Sequence, residues 1–331
     1  MVLSHFDLGV IESITEFPRG SRRSPKVGIV SQNGKFLLKR RSAARAQPER
    51  VRFAHRVQSC LTGVGFPAAK LIPARDGAQL VQLREQVYEL FEFVAGQPFR
   101  QTTPETYDAG LTLALFHKAT EDFAFSATVP PPSGDYHDAL GVRTGLSTIG
   151  LTLSSHDSFS GDEAELASLI QFLFEVYDRS AETVNGLGFT AWPQRVIHAD
   201  WHPGNLLFRN QRVVAVLDYD SVRRSRSVVD VGNGALQFSM LAGGDPSAWP
   251  DHLDEERLHG FLAGYESLRS LSNEERTSIP HLMAEALIAE CVPPITETGS
   301  VGQWAGFRIL QMVRRKLTWL RTHGERLVTA A

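Results

Sequence analysis

The chain has 331 residues, 42% of them hydrophobic and 21% charged, with 34 Lys and Arg against 37 Asp and Glu. At about 150 residues per domain the length suits two domains or two lobes of one, and the balance excludes a disordered chain and a nucleic-acid binder working by bulk positive charge. Two cysteines, Cys60 and Cys291, make no disulfide framework, no stretch reaches the ~18 apolar residues of a membrane span, and the first residues do not read as a signal peptide. The expectation is a cytoplasmic protein with no membrane or nucleic-acid partner; its oligomeric state stays open.

In chain order, Ile11–Phe17, Val27–Ser31 and Lys35–Lys39 read as three strands of an antiparallel meander. Asn33-Gly34 forms its second turn, because that pair accepts positive φ. Pro48 opens a helix running to about Thr62, with Phe53, Val57, Cys60 and Leu61 at helical spacing. Strands follow at Leu71–Pro73 with Gln79–Gln82, and at Val87–Phe93, which ends at Ala95-Gly96. Beyond Gly96 the pattern turns helical, at 104–120, 162–184, 231–242, 254–270, 273–292 and 303–323, with short strands at 196–198, 205–208 and 213–217. Residues 121–160, rich in Ser, Gly, Pro and Thr, read as a long loop or insertion. The fold class is therefore α+β: an N-terminal lobe, 1–94, built on a small antiparallel sheet, and a larger, mainly helical lobe, 95–331. The charge divides along that boundary. Residues 1–94 hold 15 Lys and Arg against 8 Asp and Glu, and the remainder 19 against 29.

The chemistry concentrates in His198-Ala199-Asp200-Trp201-His202-Pro203-Gly204-Asn205, followed by Leu217-Asp218-Tyr219-Asp220. One carboxylate stands five residues before an amide, and a second follows an apolar strand. Phosphoryl transfer needs such a set, with one carboxylate to take the proton of an attacking hydroxyl and an Asn and an Asp to hold the metal that bridges ATP phosphates. Two other readings fit the same residues: a His198/Asp200/His202 metal triad of a hydrolase, and a loop whose Asp and Asn cap turns.

His-x-Asp-x-x-x-x-Asn followed by Leu-Asp-Tyr-Asp resembles the catalytic loop and metal segment of the aminoglycoside phosphotransferase/choline kinase-like family, which includes homoserine kinases and spore-coat kinase-like relatives. The resemblance implies a bilobal protein-kinase-like fold and an ATP- and Mg2+-dependent phosphotransferase acting on a hydroxyl of a small molecule. It implies Asp200 as base, His198 as a loop-positioning residue, and Asn205 and Asp218 as metal ligands. Phe36-Leu37-Leu38-Lys39-Arg40 is similar to the family's third strand, which makes Lys39 the phosphate-binding lysine, with Arg40 as the register alternative. Glu92 and Val94 fall where backbone groups would meet adenine. Pro18 to Ser24, with Gly20 and Ser21, falls at the phosphate loop, and Arg22 and Arg23 are candidates for phosphate contacts. His202 and Asp220 are candidates for the acceptor pocket, His117 for packing and Asp230 for bracing the loop.

Two features depart from the family pattern. The phosphate loop has a single glycine. The helix after Lys39 carries Ala54 and His55 where an acid normally pairs with the lysine, leaving Glu49 or an acid from elsewhere to substitute. That gap motivates the alternative of a nucleotide-binding pseudokinase or scaffold.

Overall fold

Short apolar runs punctuated by turn residues build the N-terminal sheet of this computed structural model, which describes residues 2–17, 24–41, 46–123, 136–155 and 161–329. Strands β1 (Ile11–Phe17), β2 (Lys26–Ser31) and β3 (Gly34–Arg40) form the expected meander. Helix α1 (Pro48–Gly63) follows, with Pro48 in its first turn, where a missing N–H costs nothing. Strands β4 (Leu71–Ile72), β5 (Val81–Leu83) and β6 (Gln86–Glu92) complete an antiparallel sheet of order β1-β2-β3-β6-β4, with β5 also on β6. One face packs on a core of Phe6, Leu8, Ile29, Phe36, Leu38, Val81 and Leu90.

The chain continues through α2 (Thr103–Ala119), α3 (Leu140–Ser154), α4 (Glu163–Gly186) and β7 (Arg195–Ile197) to a hairpin of β8 (Leu206–Arg209) and β9 (Arg212–Val216). After β10 (Arg223–Ser225) come α5 (Ser227–Ser239), α6 (Glu255–Glu266) and α7 (Asn273–Thr298), then β11 (Ser300–Val301), β12 (Trp304–Ala305) and α8 (Gly306–Thr329). Helix α7 opens on a reciprocal capping box, Ser272 with Glu275, and ends on Gly299 at φ 70°. No helix among the described residues is long and apolar enough to cross a membrane.

Two expectations need correction. Residues 140–154, read as part of an irregular stretch, are helix α3: Val142, Leu146, Ile149 and Leu153 recur at helical spacing and are all buried. The Ser, Thr and Gly between them hid that stripe, because helix propensity is a weak prior against tertiary burial. The division of the chain is also not a single cut. One unit comprises Met1–Phe99, Leu115–Pro131 and Gly204–Arg223, and the other Arg100–Ala114, Pro132–Pro203 and Arg224–Ala331. The first unit thus starts as the expected N-terminal lobe and also takes in the β8–β9 hairpin and the Asp218–Asp220 segment.

Candidate functional site

In the first unit, strand register sets the charges. Side chains two apart on a strand share a face, and Lys39 stands directly opposite Glu89 in the β3–β6 register. Arg41 continues the extended backbone, its N–H donating to the Val87 carbonyl at 2.9 Å, so it shares the face of Lys39. Lys39 Nζ donates to Asp218 Oδ1 at 3.0 Å and to Asp220 Oδ2 at 2.7 Å. Arg41 Nη1 lies 2.9 Å from Asp220 Oδ1, and its Nε makes an ionic contact of 2.8 Å with Glu89 Oε2. His55 Nε2, from α1, hydrogen-bonds Glu89 Oε1. The side chains of Lys39, Arg41, Asp220, Glu89 and His55 are all at most 6% exposed, whereas Asp218 is 22% exposed.

The electrostatics follow. Burial alone would lower the Lys39 pKa, but Asp220, then Asp218 and Glu89, outweigh it and hold the ammonium above its ordinary value. Burial would raise the Glu89 pKa; the His55 hydrogen bond and the Arg41 charge bring it down to about 2. Glu49, the acid left open by the sequence for Lys39, instead pairs with Arg52 on the exposed side of α1.

Asp218 sits at φ 60°, ψ 70°, just beyond β9, and Asn205 stands just before β8. Leu206 faces Val216 in the hairpin, and Leu217 N–H donates to the Asn205 carbonyl at 2.8 Å, so both residues stand at one end of the hairpin. The strand-to-helix segment docks on that hairpin through paired bonds of 2.8 Å between Gln97 and Phe208. A side chain at Gly96 would put its Cβ 2.7 Å from the Leu207 Cβ, so the close approach requires glycine there. At the end of β6, Glu92 N–H bonds the Lys70 carbonyl and Phe93 N–H the Lys35 carbonyl, both at 2.9 Å; among the described residues the Val94 N–H has no backbone acceptor. Gly20 and Ser21, like Arg22 and Arg23, lie outside the described residues.

In the second unit, Asp230, in the first turn of α5, accepts the backbone N–H of His198 at 2.7 Å on one oxygen and that of Ala199 at 2.8 Å on the other. Ala199 has φ 64°. His198 is fully buried against the Trp201 ring. The side chains of Asp200 and His202 are about a third exposed and stand 3.6 Å apart. Asp200 and His202 thus approach each other, but among the described residues no three His, Cys, Asp or Glu side chains group to hold a metal. Glu290 of α7 is accessible to solvent but closely surrounded by protein, and both its oxygens accept from the Gln237 amide, at 2.7 and 2.6 Å. Desolvation by that protein pushes its pKa up to about 7 against the Gln237 hydrogen bond, and the negative charge of Asp200 adds to the rise.

Sequence reasoning missed Arg41, Glu89 and Glu290. The first two were signalled by position, two residues after Lys39 and opposite it across the sheet. Glu290 carried no local signal, since it belongs to a helix 90 residues beyond Asp200.

Residues 13–273 match the phosphotransferase enzyme family. A homoserine kinase of Caulobacter sp. strain K31 is 26% identical over 314 residues, covering 90% of this chain and 85% of that protein. A microcompartment-associated aminopropanol kinase superposes with a TM-score of 0.74 at 17% identity, over 99% of this chain and 97% of that one. An amicoumacin kinase in complex with AMP-PNP and Ca2+ gives 0.68 at 12% identity, over 95% and 90%. The fold is that of the protein-kinase-like phosphotransferases. The chain belongs to the phosphotransferase enzyme family, in the class of small-molecule kinases.

Proposed function

We propose that the chain transfers the γ-phosphoryl group of ATP, with Mg2+, to the hydroxyl of a small amine-bearing alcohol. The observation that carries the reading is the partly buried contact of Lys39 with Asp218, 179 residues apart in sequence, which would join a phosphate-binding strand to a metal-binding segment. The AMP-PNP and Ca2+ of the amicoumacin kinase complex support a nucleotide and a divalent cation. The donor set fits Mg2+, since the Asn205 amide and the Asp218 carboxylate offer hard oxygens. Bound by those two side chains, Mg2+ would supply positive charge to offset that of the phosphoryl group in transfer.

The chain's own residues do the remainder. The Glu92 carbonyl and Val94 N–H would take the adenine edge, Lys39 the nonreacting phosphates, and Gly20 and Ser21 the phosphate loop's backbone contacts. Asp200, partly open to solvent on a loop fixed by Asp230, would orient the acceptor hydroxyl and accept its proton as the new O–P bond forms. The bond from γ-phosphorus to its bridging oxygen breaks, and ADP leaves with the electron pair. Positioning supplies most of the rate, because the transition state is loose. Glu290, beside the charge of Asp200, would receive the acceptor's ammonium, and His202 would line the same pocket. The homoserine and aminopropanol named for the two kinases are both amine-bearing alcohols, which agrees with a carboxylate there.

The test is ADP release from ATP and Mg2+ over a panel of amino alcohols and hydroxy amino acids, homoserine included. Asp200→Asn is expected to lower kcat by about 10²-fold or more while nucleotide affinity holds. ATP binding with no acceptor phosphorylated, or full activity in Asp200→Asn, would leave a nucleotide-binding scaffold in place of the kinase.

A further inference from the structure

A phosphate-binding lysine buried on a strand needs an anion to fix its direction, because an ammonium on four methylenes is flexible. The helix after β3 cannot supply one here, since His55 occupies that face of α1 and takes Glu89 as its own partner. Asp218 touches Lys39 but is also the carboxylate that the metal would use. Asp220 remains. Its side chain is 3% exposed, with one oxygen 2.7 Å from Lys39 Nζ and the other 2.9 Å from Arg41 Nη1.

We infer that Asp220 is the positioning residue for Lys39, and that a buried chain of charges, Asp220–Arg41–Glu89–His55, fixes it to helix α1 in place of a direct helix-to-lysine ion pair. Each link is a short contact between desolvated groups, so a change at the far end reaches Lys39 through two intervening ion pairs. Strand geometry makes the arrangement specific. Lys39 and Arg41 share a face, Asp220 sits between their heads, and Glu89 stands across the sheet from Lys39. The chain also removes Asp220 from the acceptor pocket, since both its oxygens are engaged by cations of the first unit.

The inference rests on the proposed phosphotransfer, and the experiment separates the two. Steady-state kinetics of the full chain with varied ATP and varied acceptor would be measured for Asp220→Asn, Asp220→Glu and Glu89→Gln, with Lys39→Ala as the reference for a lost phosphate contact. Asp220→Asn is expected to raise the KM for ATP about tenfold or more and to leave the KM for the acceptor within about twofold. Glu89→Gln should move the KM for ATP in the same direction by less, and Asp220→Glu should restore part of it. If Asp220→Asn instead raises the acceptor KM with the ATP KM unchanged, Asp220 belongs to the acceptor pocket and the inference fails while the kinase reading stands. If Asp220→Asn does not fold, the Glu89→Gln result decides: an unchanged ATP KM overturns the charge chain. Inactivity of the wild type toward every acceptor defeats the kinase reading itself.

Discussion

Ala199 and Asp218 both hold left-handed backbone conformations that L-residues reach at a cost of about 1–2 kcal/mol. Ala199 has no side chain with which to offset its share; the Asp230 carboxylate does so from outside by accepting its N–H and that of His198. Asp230→Asn removes one of those two acceptors, because an amide nitrogen cannot accept a hydrogen bond. Glu290 gives a second expectation at this scale. With a pKa raised to about 7 it is neutral below that pH and charged above it. For an ammonium-bearing acceptor, kcat/KM should therefore rise as pH passes upward through about 7, and Glu290→Gln should flatten that limb of the profile. A wild-type profile unchanged by Glu290→Gln would place the amine elsewhere.

Among the elements, helices α2 and α6 come into backbone contact. A Cβ at Gly110 would lie 2.0 Å from the Phe261 carbonyl oxygen, and one at Gly264 would lie 2.0 Å from that of Tyr107. Neither oxygen belongs to a movable side chain, so Gly264→Ala is expected to destabilise the fold by about 1–3 kcal/mol, read as a lower thermal midpoint. The meander, α1 and the β8–β9 hairpin were legible in the sequence because period-2 runs ended at Asn-Gly, Pro and Gly, which leave little choice of structure. Helix α3 was not, because its four buried apolar residues, set among Ser, Thr and Gly, resemble a loop until a surface exists to bury them. The loop from His198 to Asn205 stood out because its polar residues are contiguous. The partners of Lys39 were not legible: Asp218 and Asp220 stood out as a candidate metal ligand and a candidate acceptor-pocket residue. Their meeting with Lys39, like the link through Arg41 to Glu89, depends on strand register and on segments 179 and 181 residues apart, of which composition carries no trace.

For the whole molecule, the buried charges tie stability to pH. The folded-state pKa of Glu89, about 2, lies below its ordinary 4.5, so the unfolded chain takes up this proton first. The stability it contributes is present above about pH 4.5 and is lost as pH falls from there toward 2. Chemical denaturation at pH 6 and pH 3 should show wild type losing more stability between the two than Glu89→Gln, although the variant starts lower because Arg41 is left short of a partner. Equal losses would mean that other carboxylates dominate the acid limb.

The interleaving of the two units bears on how the protein is made. Lys39 emerges from the ribosome early, yet its carboxylate partners lie 179 and 181 residues further along. At roughly 5–20 residues per second, translation takes on the order of 10 seconds or more to reach them. Through that interval Lys39 is without Asp218 and Asp220, and Arg41 is without Asp220. The first unit cannot be complete until Arg223 has been added. Its assembly is therefore a late event in biosynthesis, although most of its residues are the first to be translated.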